Sequence, residues 1–106
     1  MERYTDVFAR TLDNDNRMCM AGILAAEHTE LPAKVRAEVV RFGEMNVDWI
    51  ARVLSAGSSE ADETVARRAL AIFSAVQGAQ LIARSRGDIG IYHEVIGMCR
   101  KSGLLP

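Results

Sequence analysis

Residue types that bind metals occur in two short runs of this 106-residue chain. Glu27, His28 and Glu30 stand almost side by side, and His93 directly precedes Glu94. Adjacent positions and positions two apart do not face one another on a helix, so neither run brings its ligands to one point. Because zinc sites use three or four converging protein ligands, we expect no metal site and no cofactor.

The two cysteines and the short motifs give no indication of catalysis. Cys19 and Cys99 lie far apart, each inside an apolar pattern where a free thiol behaves as a small hydrophobic residue. Apolar surroundings also lower the reactivity of a thiol. The sequence has no glycine-rich phosphate loop and no Gly-x-Ser-x-Gly turn. We therefore expect that the protein is not an enzyme.

Amides that stand within apolar helix faces are candidate ligand-binding groups. Asn46 lies between Phe42 and Trp49 in one such face, and Gln77 lies beside Phe73 in another. A buried amide needs hydrogen-bond partners, which a ligand, a neighbouring helix or water supplies about equally well. Thioethers and aromatic rings suit adaptable apolar pockets, although the same residues more often pack in a core. The candidate ligand-binding residues are Met18, Phe42, Met45, Asn46, Trp49, Phe73 and Gln77.

These residues fall within an all-helical pattern. Apolar residues make up 49% of the chain and charged residues 25%, a balance that allows one folded domain with its own core. The fold class is therefore all-α, a bundle of about five helices forming a single domain over residues 1–106, because no strand-like alternation bounded by turns occurs. Pro32 and Gly57 suit the start and the end of the third helix. The predicted helices are 2–12, 15–29, 32–56, 60–85 and 88–103.

The second predicted helix is expected to lie inside the bundle, and the third to pack on two sides and keep a solvated charged face. The run from Met18 to Ala26 is apolar on all sides, which marks a buried central helix in a soluble protein. In the third helix, apolar residues between Val35 and Leu54 cover about half of the circumference, opposite a narrow charged face. We therefore expect this helix to pack against neighbours on two sides.

The fourth predicted helix carries no charged residue from Ala69 to Ala83. A chain this small has too few helices to bury every side of such a segment, so a partner subunit would supply the missing cover. Together with the last helix it would form an intersubunit four-helix bundle. The sequence leaves open which face meets the partner and which lines a pocket. The candidate dimer-interface residues are Ala69, Ile72, Ala75, Val76, Gly78, Ala79, Gln80, Ile82, Ala83, Ile91 and Val95.

Two stretches of the sequence resemble the C-terminal effector-binding and dimerisation domains of TetR-type (TetR/AcrR-like) transcriptional regulators. In that pattern a helix of small residues ends in Ala-Arg, and a Gly-Asp turn begins the last helix. The resemblance covers residues 16–104 and implies a TetR-like C-terminal domain that forms a homodimer through its last two helices. The first stretch runs from Met18 to His28 and on through Leu31-Pro32 to Trp49-Ile50, and the second from Gln77 to Arg84, followed by Gly87-Asp88 and Val95-Ile96.

The resemblance also implies an effector pocket inside the bundle, whose occupancy alters the separation of two N-terminal DNA-binding heads. A helix-turn-helix head needs two helices joined by a short turn. Residues 1–16 have room for one helix, so we expect this head to be absent. An excised domain and a shortened gene both stay open as explanations.

Charge and hydropathy restrict the partners. The net charge of -1 gives no positive field that would attract a phosphate backbone, so we expect no direct nucleic acid binding by this chain. The N-terminus lacks a signal-peptide pattern, and the apolar run from Met18 to Ala26 is too short to span a bilayer. A cytoplasmic location without a membrane partner is expected.

The leading hypothesis is a ligand-sensing and dimerisation domain of a TetR-family regulator that binds a small, mainly apolar or amphiphilic effector. The alternative is a small helical dimerising interaction protein without a small-molecule ligand, such as a truncated regulator that forms heterodimers with full-length relatives. An effector would stabilise the protein only under the ligand-sensing hypothesis, because binding to the folded state raises the free energy of unfolding by mass action.

Overall fold

A computed structural model describes residues 1–14 and 28–106, and these ranges are all helix, turn and irregular chain, without a strand. The predicted all-α class is confirmed. The predicted helix at 15–29 falls mostly outside the described residues. The helices are α1 (Glu2–Asp13), a short 3-10 helix (His28–Glu30), α2 (Ala33–Ala56), α3 (Asp62–Arg86) and α4 (Ile89–Lys101).

The ends of the helices follow from local sequence. Pro32 stands one residue before α2, with a ψ of 147° that is extended rather than helical. Gly87 ends α3 in the left-handed region, at φ 62°, which glycine adopts without steric cost. Asp88 then begins α4, because its Oδ1 accepts a hydrogen bond of 2.9 Å from the Gly90 amide. The Gly-Asp turn therefore reverses the chain between the two last helices.

Helix α3 is the centre of the fold and contacts α1, α2 and α4. One row of its side chains is buried at the three- and four-residue spacing of a helix face. Five of the six members of this row are alanine or valine, and such short side chains allow neighbouring helices to approach closely. From α2, Ile50 and Leu54 complete this part of the core. The buried apolar row of α3 consists of Val65, Ala69, Ile72, Val76, Ala79 and Ala83.

Helix α1 is held on α3 and α4 by buried polar bonds as well as by its apolar face. Gln80 Nε2 donates to the Phe8 carbonyl over 3.1 Å, and the Tyr92 hydroxyl donates to the Thr5 carbonyl over 2.6 Å. Arg100 also donates to Thr5 Oγ1 over 3.1 Å. Since Gln80 and Tyr92 are almost fully buried, these bonds fix where α1 lies along the bundle.

The uncharged segment of α3 has a buried side and an exposed side. Leu70, Leu81 and Ile82 are exposed large apolar residues. The chain by itself therefore leaves part of this segment uncovered, while the predicted partner subunit stays a prediction. In the two described ranges, no helix is long and apolar enough to cross a membrane.

Candidate ligand-binding site

A cleft of about 420 Å³ lies between α1 and α2. Its volume falls in the range of small-molecule sites, roughly 300–1,000 Å³. The lining is mostly apolar, with one amide, one phenol and one guanidinium among its side chains. The lining residues are Arg3, Tyr4 and Val7 from α1, and Phe42, Met45, Asn46 and Trp49 from α2.

Helical spacing brings the lining residues of α2 to one face. Phe42, Met45, Asn46 and Trp49 follow one another at intervals of three, one and three residues, which places them side by side over two turns. The core-facing side of α2 is buried only further along, at Ile50 and beyond. The three apolar residues that α2 contributes to the lining are exposed instead: 39% of the Phe42 surface, 62% of Met45 and 41% of Trp49. The cleft is therefore an open apolar surface.

A polar pair lies within this apolar lining. The Tyr4 hydroxyl donates to Asn46 Oδ1 over 2.9 Å, and Asn46 Nδ2 donates to the Phe42 carbonyl over 2.8 Å. These bonds use one N–H and one lone pair of the Asn46 amide, which has two of each. Asn46 is half-buried, so its amide has capacity to bond a ligand without losing its present partners.

Aromatic contacts fix the wall that Tyr4 forms. Its ring stacks on Trp49, with centroids 5.5 Å apart and planes inclined by 22°. It also meets Phe8 edge to face at 5.2 Å. Both arrangements are favourable for aromatic rings. Because Phe8 is a core residue, Tyr4 connects the cleft to the interior of the bundle.

Tyr92 of α4 is a buried titratable group that interacts with Tyr4. Burial raises the pKa of Tyr92 well above its ordinary value, and the neighbouring Tyr4 and Asp6 raise it further, while Arg100 acts in the opposite direction. Tyr92 thus stays neutral and serves as a hydrogen-bond donor to the Thr5 carbonyl. It supports the position of α1 and is not part of the cleft lining.

The structure brings together four of the seven predicted ligand-binding residues: Phe42, Met45, Asn46 and Trp49 line the cleft. Phe73 instead lines a separate groove of about 290 Å³ between α2 and α3. Gln77 is half-buried on α3, and within the described part of the chain its buried Nε2 has no hydrogen-bond partner. Met18 lies outside the described residues.

Sequence reasoning missed the half of the cleft that α1 provides, namely Arg3, Tyr4 and Val7. Tyr4 and Val7 are three residues apart and share a helix face, which was the available signal. That spacing shows that the two residues share a face of α1, but it does not show which helix this face contacts. The pairing with α2 depends on how α1 sits on α3 and α4.

The predicted dimer-interface residues divide into two groups. Six are buried by the chain itself and so present no surface to a partner. Ile82 is exposed, and Ala75, Gly78, Ile91 and Val95 are half-buried. Among the predicted interface residues, only this second group has surface left for contact with a partner. The buried six are Ala69, Ile72, Val76, Ala79, Gln80 and Ala83.

The described side chains around the cleft form an apolar lining with a few polar groups. Across residues 1–14 and 28–106, no group of three His, Cys, Asp or Glu side chains is placed to hold a metal ion. Cys99, a free thiol, is half-buried on α4.

Comparison with protein-family models, with curated proteins and with solved structures finds no match for the chain.

Proposed function

We propose that this chain is a ligand-sensing and dimerisation domain of a TetR-type transcriptional regulator, and that a small, mainly apolar effector binds between α1 and α2. The observation that carries the proposal is the exposed apolar lining around the Tyr4–Asn46 hydrogen bond. An apolar cleft with a few convergent polar groups is the usual form of a small-molecule site. The family part rests on the resemblance of residues 16–104.

Covering the lining would supply the driving force for binding. Phe42, Met45 and Trp49 all expose more than a third of their surface. Removing apolar surface from water is worth about 25 cal/mol per Å², before the costs of association are subtracted. The Asn46 amide would orient the bound molecule through its remaining N–H or lone pair. The proposed effector is therefore apolar in its body and carries at least one polar group.

Helix α1 connects this cleft to the last two helices. Tyr4 lines the cleft, and its neighbour Thr5 accepts hydrogen bonds from Tyr92 and Arg100 of α4. A ligand that changes the contact between Tyr4 and Trp49 would change the position of α1 and bias the helices bound to it. Regulation would follow from a difference in ligand affinity between two dimer geometries.

Thermal unfolding followed by circular dichroism tests the effector proposal, with phenylbutanol as the probe. A ligand at a hundred times its Kd stabilises the folded state by about 2.7 kcal/mol. We expect a concentration-dependent rise in Tm for the wild type, a smaller rise for Trp49→Ala, and a full rise for Leu81→Ala, which removes an exposed apolar side chain from α3. An unchanged Tm in the wild type, or an equal rise in Trp49→Ala, would overturn the proposal.

A second candidate function is a helical dimerising interaction protein without a small-molecule ligand. The exposed Leu70, Leu81 and Ile82 of α3 and Met98 of α4 favour it, because exposed apolar patches mark interaction surfaces. Dimerisation by sedimentation at micromolar concentration, with no stabilisation by any amphiphile, would favour this candidate over the sensor.

A further inference from the structure

The cleft between α1 and α2 has a single formal charge in its lining. Arg3 supplies this charge, and the other six lining residues are neutral. In the described part of the chain the ion pairs are Arg41–Glu38, Arg67–Glu63 and Arg68–Glu60, and none involves Arg3. The Arg3 guanidinium therefore stands at an apolar cleft without a carboxylate partner of its own.

The neighbouring hollow does not offset this charge. It shares Met45 and Trp49 with the cleft, and it adds Asp48 and Arg52 from α2. One carboxylate and one guanidinium there contribute no net charge. The formal charges in the two linings therefore sum to that of Arg3 alone. A positive charge of this kind attracts an anion.

Resting on the proposed function, we infer that the ligand of this cleft is an acidic amphiphile, with an aromatic or otherwise apolar body against Trp49 and Phe42 and a carboxylate bound by Arg3. A guanidinium matches a carboxylate with two parallel hydrogen bonds, which a neutral alcohol does not reproduce. The remaining N–H of Asn46 offers a further donor near the same cleft. The apolar lining supplies affinity, and Arg3 supplies selectivity for the charged form.

Trp49 is the single tryptophan of the chain, so its emission reports the cleft directly. The probes are phenylbutyrate and phenylbutanol, which share a carbon skeleton and differ in charge. We expect phenylbutyrate to bind roughly fivefold more tightly, the size of a favourable exposed ion pair. Added salt should narrow the difference, because screening weakens the contact with an exposed charge.

Two variants separate the role of Arg3 from the general charge of α1. Arg3→Gln should remove the preference, so that phenylbutyrate and phenylbutanol bind this variant with equal affinity. Arg10→Gln removes the same charge from an exposed position of α1 outside the cleft, and it should keep the preference. Equal affinity of the wild type for both probes, or equal loss in both variants, would overturn the inference while leaving the effector proposal intact. Binding of neither probe would overturn both.

Discussion

The Tyr4 ring lies against the Trp49 indole, with centroids 5.5 Å apart and planes inclined by 22°. This contact joins the first turns of α1 to the middle of α2. Every other hydrogen-bonded attachment described above holds α1 to α3 or α4 instead. The stacked pair, with the bond from Tyr4 to Asn46, therefore joins α1 to α2 at the cleft.

Substitutions of Tyr4 should separate the contribution of its hydroxyl from that of its ring. Tyr4→Phe removes the bond to Asn46 and should lower the free energy of unfolding by about 0.5–1.5 kcal/mol. Tyr4→Ala also removes the stacking on Trp49 and should cost about 0.5–1.5 kcal/mol more. Urea denaturation followed by circular dichroism measures both. Equal losses in the two variants would mean that the ring contact contributes nothing.

The buried amide of Gln80 should be needed for the attachment of α1. Gln80→Leu keeps an apolar side chain of similar length but removes the donor to the Phe8 carbonyl, so we expect a loss of about 1–3 kcal/mol. Ser74→Ala is the control, because Ser74 is exposed and bonds only within α3. It should change stability by less than about 0.5 kcal/mol. A Gln80→Leu variant as stable as the control would contradict the role assigned to this amide.

The raised pKa of Tyr92 makes stability depend on alkaline pH. As the pH rises past the ordinary tyrosine value of about 10, the unfolded chain releases the Tyr92 proton before the folded chain does. The stabilising contribution of Tyr92 is therefore complete below pH 10 and is lost progressively above it, by up to about 1.4 kcal/mol per pH unit.

Denaturant unfolding of the wild type and Tyr92→Phe at several alkaline pH values measures this dependence. Tyr92→Phe should be less stable at neutral pH by about 0.5–1.5 kcal/mol, because it lacks the bond to the Thr5 carbonyl. It should also lose less stability than the wild type as the pH rises above 10. Parallel pH profiles would contradict a buried, neutral tyrosine at this position.

The exposed side of α3 should carry the predicted dimer contact. Ile82 is exposed there, and a charge placed in an apolar interface is strongly unfavourable. Ile82→Glu should therefore shift the sedimentation of a micromolar sample from dimer to monomer, whereas Met45→Glu in the cleft should leave the dimer intact. A wild type that sediments strictly as a monomer would remove the homodimer from the proposed function.

Periodicity in the sequence predicted most of the helical architecture. Ala33–Ala56 and Asp62–Arg86 lie within two residues of the predicted bounds, because Pro32, Gly57 and the Gly87-Asp88 turn act locally on the backbone. The row from Val65 to Ala83 is a regular apolar face, and it became the core of α3. Helix ends and helix faces depend on neighbouring residues alone, so they can be predicted from the sequence without knowing the fold.

Only half of the candidate site could be predicted, because helical spacing shows which residues share a face but not which helices pack together. Phe42, Met45, Asn46 and Trp49 share one helix face, so their proximity follows from spacing alone. The contribution of Tyr4 depends on α1 being placed against α3 and α4 by contacts from residues more than 70 positions away, such as Gln80 to Phe8. No local pattern encodes such a pairing.

The most direct test of the proposed effector cleft is a titration of the isotope-labelled chain with phenylbutanol, followed by proton–nitrogen correlation spectra. The indole N–H of Trp49 and the side-chain amide of Asn46 should shift together and saturate with one Kd. Spectra that do not change, or that change near Leu81 and not at Trp49 and Asn46, would contradict a ligand site between α1 and α2.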